Sequence, residues 1–217
     1  MSEVRLYPLG DTALVCEMPA PATLDCQRRF WALAEVAHDW PQVLEVVPGM
    51  NNLTLVFDPL DTDRDALGAQ LLAGWQAAKA TAGEGREVEI AVRYGGELGP
   101  DLADVARHTG FTPREVAERH AAGEYTVFFL GFQPGFAYMG GLEPALHTPR
   151  RSSPRVAVPA GAVGIGGEQT GIYPAASPGG WQLIGHTDAV LFDPAKRPAT
   201  LLQPGDRVRF TIAELHA

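Results

Sequence analysis

The chain has 217 residues, enough for one large domain or two small ones. Hydrophobic residues make up 46% and charged residues 20%, the balance of a soluble globular protein with a sizeable core, which argues against disorder. The net charge of −9 repels phosphate backbones and argues against a nucleic-acid partner, and no apolar run reaches the length of a membrane span.

In chain order, Val4–Tyr7 and Ala13–Glu17 read as short strands separated by the turn pair Gly10-Asp11. Leu24 to His38 follows a helical period, with Phe30, Leu33, Ala34 and Ala37 on one face, and Pro41 stops it. Val43–Val47 and Leu53–Phe57 read as strands. A second helix is expected over Asp63 to Lys79, with Leu67, Leu71, Trp75 and Ala78 as its apolar face. The order β-β-α-β-β-α predicts a small sheet covered by two helices. The small, polar stretch Thr81–Arg86 (TAGEGR) marks a boundary, giving one domain over 1–82 and a second over 83–217.

The second half opens with an alternating strand, Val88–Val92, and two short helices, Pro100–Thr109 and Pro113–Ala122. Thr112 and Glu115 form a capping box ahead of the latter, with Pro113 at its first position. His120, late in this helix, reads as a cap for its carbonyls. Beyond it, short extended runs recur at Tyr125–Gly131, Arg155–Pro159, Ala162–Ile165, Trp181–Gly185, Ala189–Phe192 and Arg207–Ile212, separated by Gly and Pro. Many short strands with such turns indicate a barrel or sandwich, so the fold class is α+β.

No phosphate-binding GxxxxGK[ST] loop, HExxH or GxSxG is present, and the six histidines show no metal-ligand spacing. The two cysteines, Cys16 and Cys26, form no CxxC and fit a reducing compartment. The start MSEVRLYPLG carries no apolar signal core, so the expected location is cytoplasmic.

Four segments have unusual compositions. Leu130–Tyr138 (LGFQPGFAY) describes a rigid aromatic turn; Gly135 would allow close backbone approach and Pro134 would hold it preformed. Its aromatics either enter the core or wall a pocket. Thr148–Arg155 (TPRRSSPR) is an arginine- and serine-bearing loop suited to a small anion, or a solvated turn. Gly161–Pro174 (GAVGIGGEQTGIYP) is either a hairpin at a barrel corner or a glycine-lined site where Gln169, Thr170 and Tyr173 supply neutral hydrogen-bonding groups. Ser177–Gly185 (SPGGWQLIG) could form a lip with the Trp181 indole over it, or place that indole in the core.

Together, TVFFLGFQPGFAYMGGL, TPRRSSPRVAVPAGAVGIGGEQTGIYP, SPGGWQLIGHT and LLQPGDRVRF closely resemble the KipI-like family, also called allophanate hydrolase subunit 1 or the 5-oxoprolinase B component. The resemblance extends through VEIAVRYGGELGPDLADVA to GDTAL and VPGMNNLTLVFDP, nearly the whole chain. It implies a small N-terminal α/β domain followed by a cyclophilin-like β-barrel. It also implies one component of an ATP-dependent 5-oxoprolinase that acts with a KipA-like barrel protein (the C component) and a LamB/YcsF-like protein (the A component). ATP with Mg²⁺ would serve the complex, with none held tightly by this chain and no metal site in it. Other relatives are histidine-kinase inhibitors, or carboxyltransferase components related to allophanate hydrolase. On this reading Gln169, Thr170 and Tyr173 are catalytic, and Phe132, Pro134, Gly135, Phe136, Arg150, Arg151, Gly180 and Trp181 bind substrate. The chain departs from the expected pattern at Ala137, often proline, at Glu168, where a small residue is expected, and at His186, where an arginine is expected.

Overall fold

The computed structural model describes residues 4–80 and 85–216. Its contacts divide the chain into two compact units, Met1–Gly83 and Glu84–Ala217. Of the expected boundary, residues 81–84 lie outside the described residues, whereas Arg86 is firmly part of the second unit. Its backbone and side chain both donate to the Asp206 carboxylate.

In the first unit, β1 (Arg5–Leu9), β2 (Ala13–Glu17), β3 (Val43–Gly49) and β4 (Asn52–Phe57) form an antiparallel sheet in the order β1-β2-β4-β3. Alternation along β4 sends Leu53, Leu55 and Phe57 into the core, where α1 (Leu24–Ala37) contributes Phe30, Leu33 and Ala37 and α2 (Arg64–Ala77) contributes Leu67, Leu71 and Trp75. Thr23 and Asp63 cap the two helices by accepting first-turn N–H groups. Arg29 stacks 3.9 Å over Trp75 and donates to the Trp75 and Ala78 carbonyls at the end of α2.

The second unit opens with β5 (Glu87–Gly95), α3 (Leu102–Thr109) and α4 (Pro113–Ala122). The capping box of α4 is closed in both directions, Glu115 N–H to Thr112 Oγ1 at 3.2 Å and Thr112 N–H to Glu115 Oε2 at 2.7 Å. Strands β6 (Tyr125–Leu130), β7 (Ala137–Gly140), β9 (Ala162–Gly166), β10 (Gln169–Ile172), β12 (Gln182–His186) and β13 (Arg207–His216) join β5 in a closed barrel, ordered β10-β7-β6-β13-β5-β12-β9. Strand β13 runs parallel to β5 from Arg207 opposite Glu87 to His216 opposite Gly95. Two short strands, β8 (Arg155–Val158) and β11 (Ser177–Gly179), form a separate ribbon.

The α+β class with a barrel agrees with the sequence. The expected strand Ala189–Phe192 is absent: the segment is tied down by backbone bonds such as Asp193 N–H to Ala199 O and by an isolated Phe192–Thr200 bridge. Pro194 and Pro198 interrupt any longer ladder there. Conversely, β7 begins inside the expected aromatic turn, and β10 lies inside the glycine-rich run.

Candidate active face of the barrel

Strand β10 presents two unlike faces. Thr170 and Ile172 are buried in the barrel interior, and Gln169, Gly171 and Tyr173 alternate to the other side. Inside, Thr170 Oγ1 donates to Gly164 O at 3.0 Å. It therefore accepts from His120 Nε2–H at 2.8 Å, which leaves His120 Nδ1 to accept from the Tyr94 hydroxyl, also at 2.8 Å. His120 is wholly buried and lies 4.7 Å from the Phe210 ring, centroid to centroid. Burial pushes its pKa from 6.5 down to about 3, so it is a neutral imidazole. The expectation that His120 caps helix carbonyls is thus corrected, because α4 delivers it into the barrel. Thr170 likewise does not share a cleft with Gln169 and Tyr173; its hydroxyl is consumed by the core.

The outer face carries an aromatic cluster. Phe136, Tyr173 and Trp181 are buried, with Phe136 edge-on to Tyr173 at 5.3 Å and to Trp181 at 5.5 Å. Tyr138 packs against Phe136 at 4.8 Å and Trp181 at 6.0 Å. Trp181 is no lip: it fills the space left by two strand glycines, and a Cβ at Gly166 would stand 2.5 Å from the indole and one at Gly171 3.0 Å. Gly135, at φ +84°, makes its close approach to the chain itself, since a Cβ there would meet Leu191 O at 2.8 Å. Pro134 is exposed on the same turn.

Phe132 differs from its neighbours. It is 59% exposed and sits at φ 64°, a left-handed conformation that disfavours a bulky side chain, yet its ring meets Phe136 at 5.4 Å and Tyr173 at 6.3 Å. The turn is held by Gly131 N–H to Phe136 O and Phe136 N–H to Gln133 O. An open aromatic ring held by strained backbone above a packed aromatic base is a surface on which a small planar molecule can rest.

Polar groups on this side of the unit are incompletely satisfied. Gln169 Nε2, Gln133 Oε1 and Ser177 Oγ are buried atoms with no hydrogen-bond partner among the described residues. The pKa of the Tyr173 phenol is raised by burial, against the lowering effects of the nearby Trp181 backbone and of Arg150 and Arg155.

The arginine loop divides by role. Asp101, 2% exposed, accepts from Arg151 at 3.0 Å, from Arg155 at 2.7 Å and from the Leu183 N–H at 2.7 Å. Arg151 N–H in turn donates to Gly180 O, which gives Gly180 a backbone anchoring role. Arg151 is thus tied to a buried carboxylate, whereas Arg150 is exposed and has no ion-pair partner among the described residues. Its guanidinium lies 5.7 Å from the Trp181 ring, and its charge opposes the burial that raises the Tyr138 and Tyr173 phenols. Beside it, Arg150, Arg151, Ser152, Ser153, His108 and Gln182 border a depression of about 410 Å³. Sequence reading missed Asp101, which fell inside the expected helix Pro100–Thr109; it stands instead just before α3, makes no cap bond and is turned to the arginines. Among the described residues no group of three His, Cys, Asp or Glu side chains is placed to hold a metal. No helix among them is long and apolar enough to cross a membrane.

The carboxyltransferase domain family, subdomains C and D, matches residues 4–202. A relative from Escherichia coli O157:H7, the B component of a 5-oxoprolinase, is 53% identical over 211 residues, covering 97% of this chain and 96% of its own. The crystallised protein TTHA0988 is 41% identical with a TM-score of 0.79; the match covers 93% of this chain and 39% of that longer one. The urea carboxylase of Kluyveromyces lactis, at 21% identity and a TM-score of 0.81, shares the fold over 98% of this chain and 22% of its own. By family match and near-full-length identity, the chain belongs to the KipI-like carboxyltransferase-domain family that includes the B components of 5-oxoprolinases.

Proposed function

We propose that the chain is one component of a cytoplasmic, ATP-dependent 5-oxoprolinase that opens 5-oxoproline to glutamate, and that it is inactive alone. The observation that carries this reading is the 53% identity, over nearly the whole of both chains, to a 5-oxoprolinase component. A KipA-like barrel protein and a LamB/YcsF-like protein are the proposed partners.

The outer barrel face suits such a substrate. A lactam is a poor electrophile with a planar amide, a small apolar ring and a carboxylate. Phe132 offers an open ring for the apolar edge. The unpaired Gln169 amide offers an N–H donor to the lactam oxygen, where charge grows as water adds to the carbonyl carbon and the C–N bond breaks. Arg150 offers an unmatched cation to an anionic group. ATP enters as a substrate whose γ-phosphoryl passes to the lactam oxygen as ADP leaves; water then adds to the activated carbon, the C–N bond breaks and phosphate is released, and the carboxylates that would hold the metal are assigned to a partner.

Co-expression with the two partner proteins and an assay for ATP-dependent glutamate release tests this. Turnover is expected only in the assembled complex. Robust turnover by the purified chain alone would refute inactivity in isolation. The carboxyltransferase family match favours a second reading, a carboxyl-transfer component. Biotin- and urea-dependent turnover by the complex, without glutamate release, would establish that reading instead.

A further inference from the structure

Resting on the reading above, but going beyond it, we infer that the depression beside Arg150 is a phosphate-class oxyanion subsite, not the seat of the substrate carboxylate. Four observations converge. First, the charges around it leave an excess of positive charge. Asp104 pairs with Arg107 at 2.8 Å, and Asp101 alone answers both Arg151 and Arg155, while Arg150 has no carboxylate partner among the described residues, on a chain whose net charge is −9. Glu168, exposed on the turn joined to this loop through the Thr148–Gly167 bridge, forms no ion pair with Arg150.

Second, donors surround the dish from several directions. Arg150, Ser152, Ser153, His108 and Gln182 border it, together with Asp104, whose carboxylate is paired to Arg107. One planar carboxylate is satisfied by a single guanidinium fork, whereas a tetrahedral oxyanion with more oxygens uses spread donors. Third, the loop is preformed. Pro149 and Pro154 flank it, Gln182 Nε2 donates to Pro149 O at 2.9 Å, and Arg151 N–H donates to Gly180 O at 2.7 Å. Fourth, Arg151 Nε and Arg155 Nη1 are buried N–H donors without a partner among the described residues, so the buried layer beneath holds unspent positive polarity. A volume of about 410 Å³ leaves room for a group larger than the anion itself.

Titration of the isolated full chain with inorganic phosphate, and separately with acetate, followed by amide NMR shifts, tests the inference independently of turnover. Phosphate is expected to give saturable shifts at Ser152 and Ser153, with acetate weaker. Arg150→Ala should weaken phosphate by about tenfold, as loss of a forked cation implies. Arg197→Ala, in a separate basic depression bordered by Lys196, Arg197 and Thr200, should change it less than about twofold, the level of a remote exposed charge. Equal binding of acetate, unchanged phosphate binding in Arg150→Ala, or an equal loss in Arg197→Ala each overturns the assignment. Loss of glutamate release in the complex with phosphate binding intact would sink the oxoprolinase reading and leave this one standing.

Discussion

The two faces of β10 are built from the same four residues and have opposite characters. Inward, Thr170 closes a chain running Tyr94 O–H to His120, His120 to Thr170, Thr170 to Gly164 O, in which every donor has an acceptor. Outward, Gln169 carries a buried amide nitrogen with no partner, beside an aromatic cluster whose exposed member is strained. A completed buried network holds one structure and has nothing left to offer a ligand. Buried groups left unsatisfied cost stability, and such a cost is commonly found where a ligand supplies the missing partner. The contrast separates residues that hold the barrel from residues available for chemistry, and substitution can test each side.

The largest effect is expected from pH. His120 titrates at 6.5 when unfolded and at about 3 when folded, so between these values the unfolded chain binds more protons. Stability therefore falls as pH drops through that window, with a slope of up to about 1.4 kcal/mol per pH unit from this residue. Urea denaturation from pH 7 to 4 should show a shallower acid limb in His120→Gln than in the natural chain. An identical limb would mean that His120 is not held neutral.

Next comes Thr170→Val, which keeps the shape and removes the hydroxyl. His120 Nε2–H and Gly164 O lose their partner, at about 1–3 kcal/mol. Urea denaturation measures the loss directly. If stability is unchanged while activity of the assembled complex collapses, Thr170 belongs with the chemistry after all.

The smallest stability effects fall on the outer face. Gln169→Ala removes an amide whose nitrogen has no partner, so melting should shift by no more than a few degrees while activity of the complex falls at least about tenfold, or roughly 1.4 kcal/mol. Tyr173→Phe keeps the buried ring and removes only the hydroxyl, so stability should change by no more than about 1 kcal/mol, with a similar loss of activity. Full activity in both variants would reduce this face to a structural corner.

Much of this was legible in the sequence because it is local. The Thr112–Glu115 box, the turn at Gly10-Asp11 and the alternating run Leu53–Phe57 announce themselves within a few residues. The glycine-rich run was harder. Glycine hides the two-residue period, so Gln169 and Thr170 read as one polar group although neighbours on a strand must face apart. The glycines themselves make sense only against Trp181, ten or more residues away. Asp101 was illegible for a different reason: Arg151 and Arg155 lie 50 and 54 residues along the chain, and the topology alone brings them together.

The parallel pairing of β13 with β5 also sets an order of events. The staves that meet at this seam lie far apart in sequence, as the 120-residue separation of the bonded pair Arg86 and Asp206 shows. Closing so long a loop is entropically costly and slow. During synthesis the first unit can fold while the second is still being made, but the barrel cannot close until β13 has left the ribosome. Until then β5 and β6 keep unpaired edges, which makes this interval the one in which the nascent chain is most exposed to mispairing.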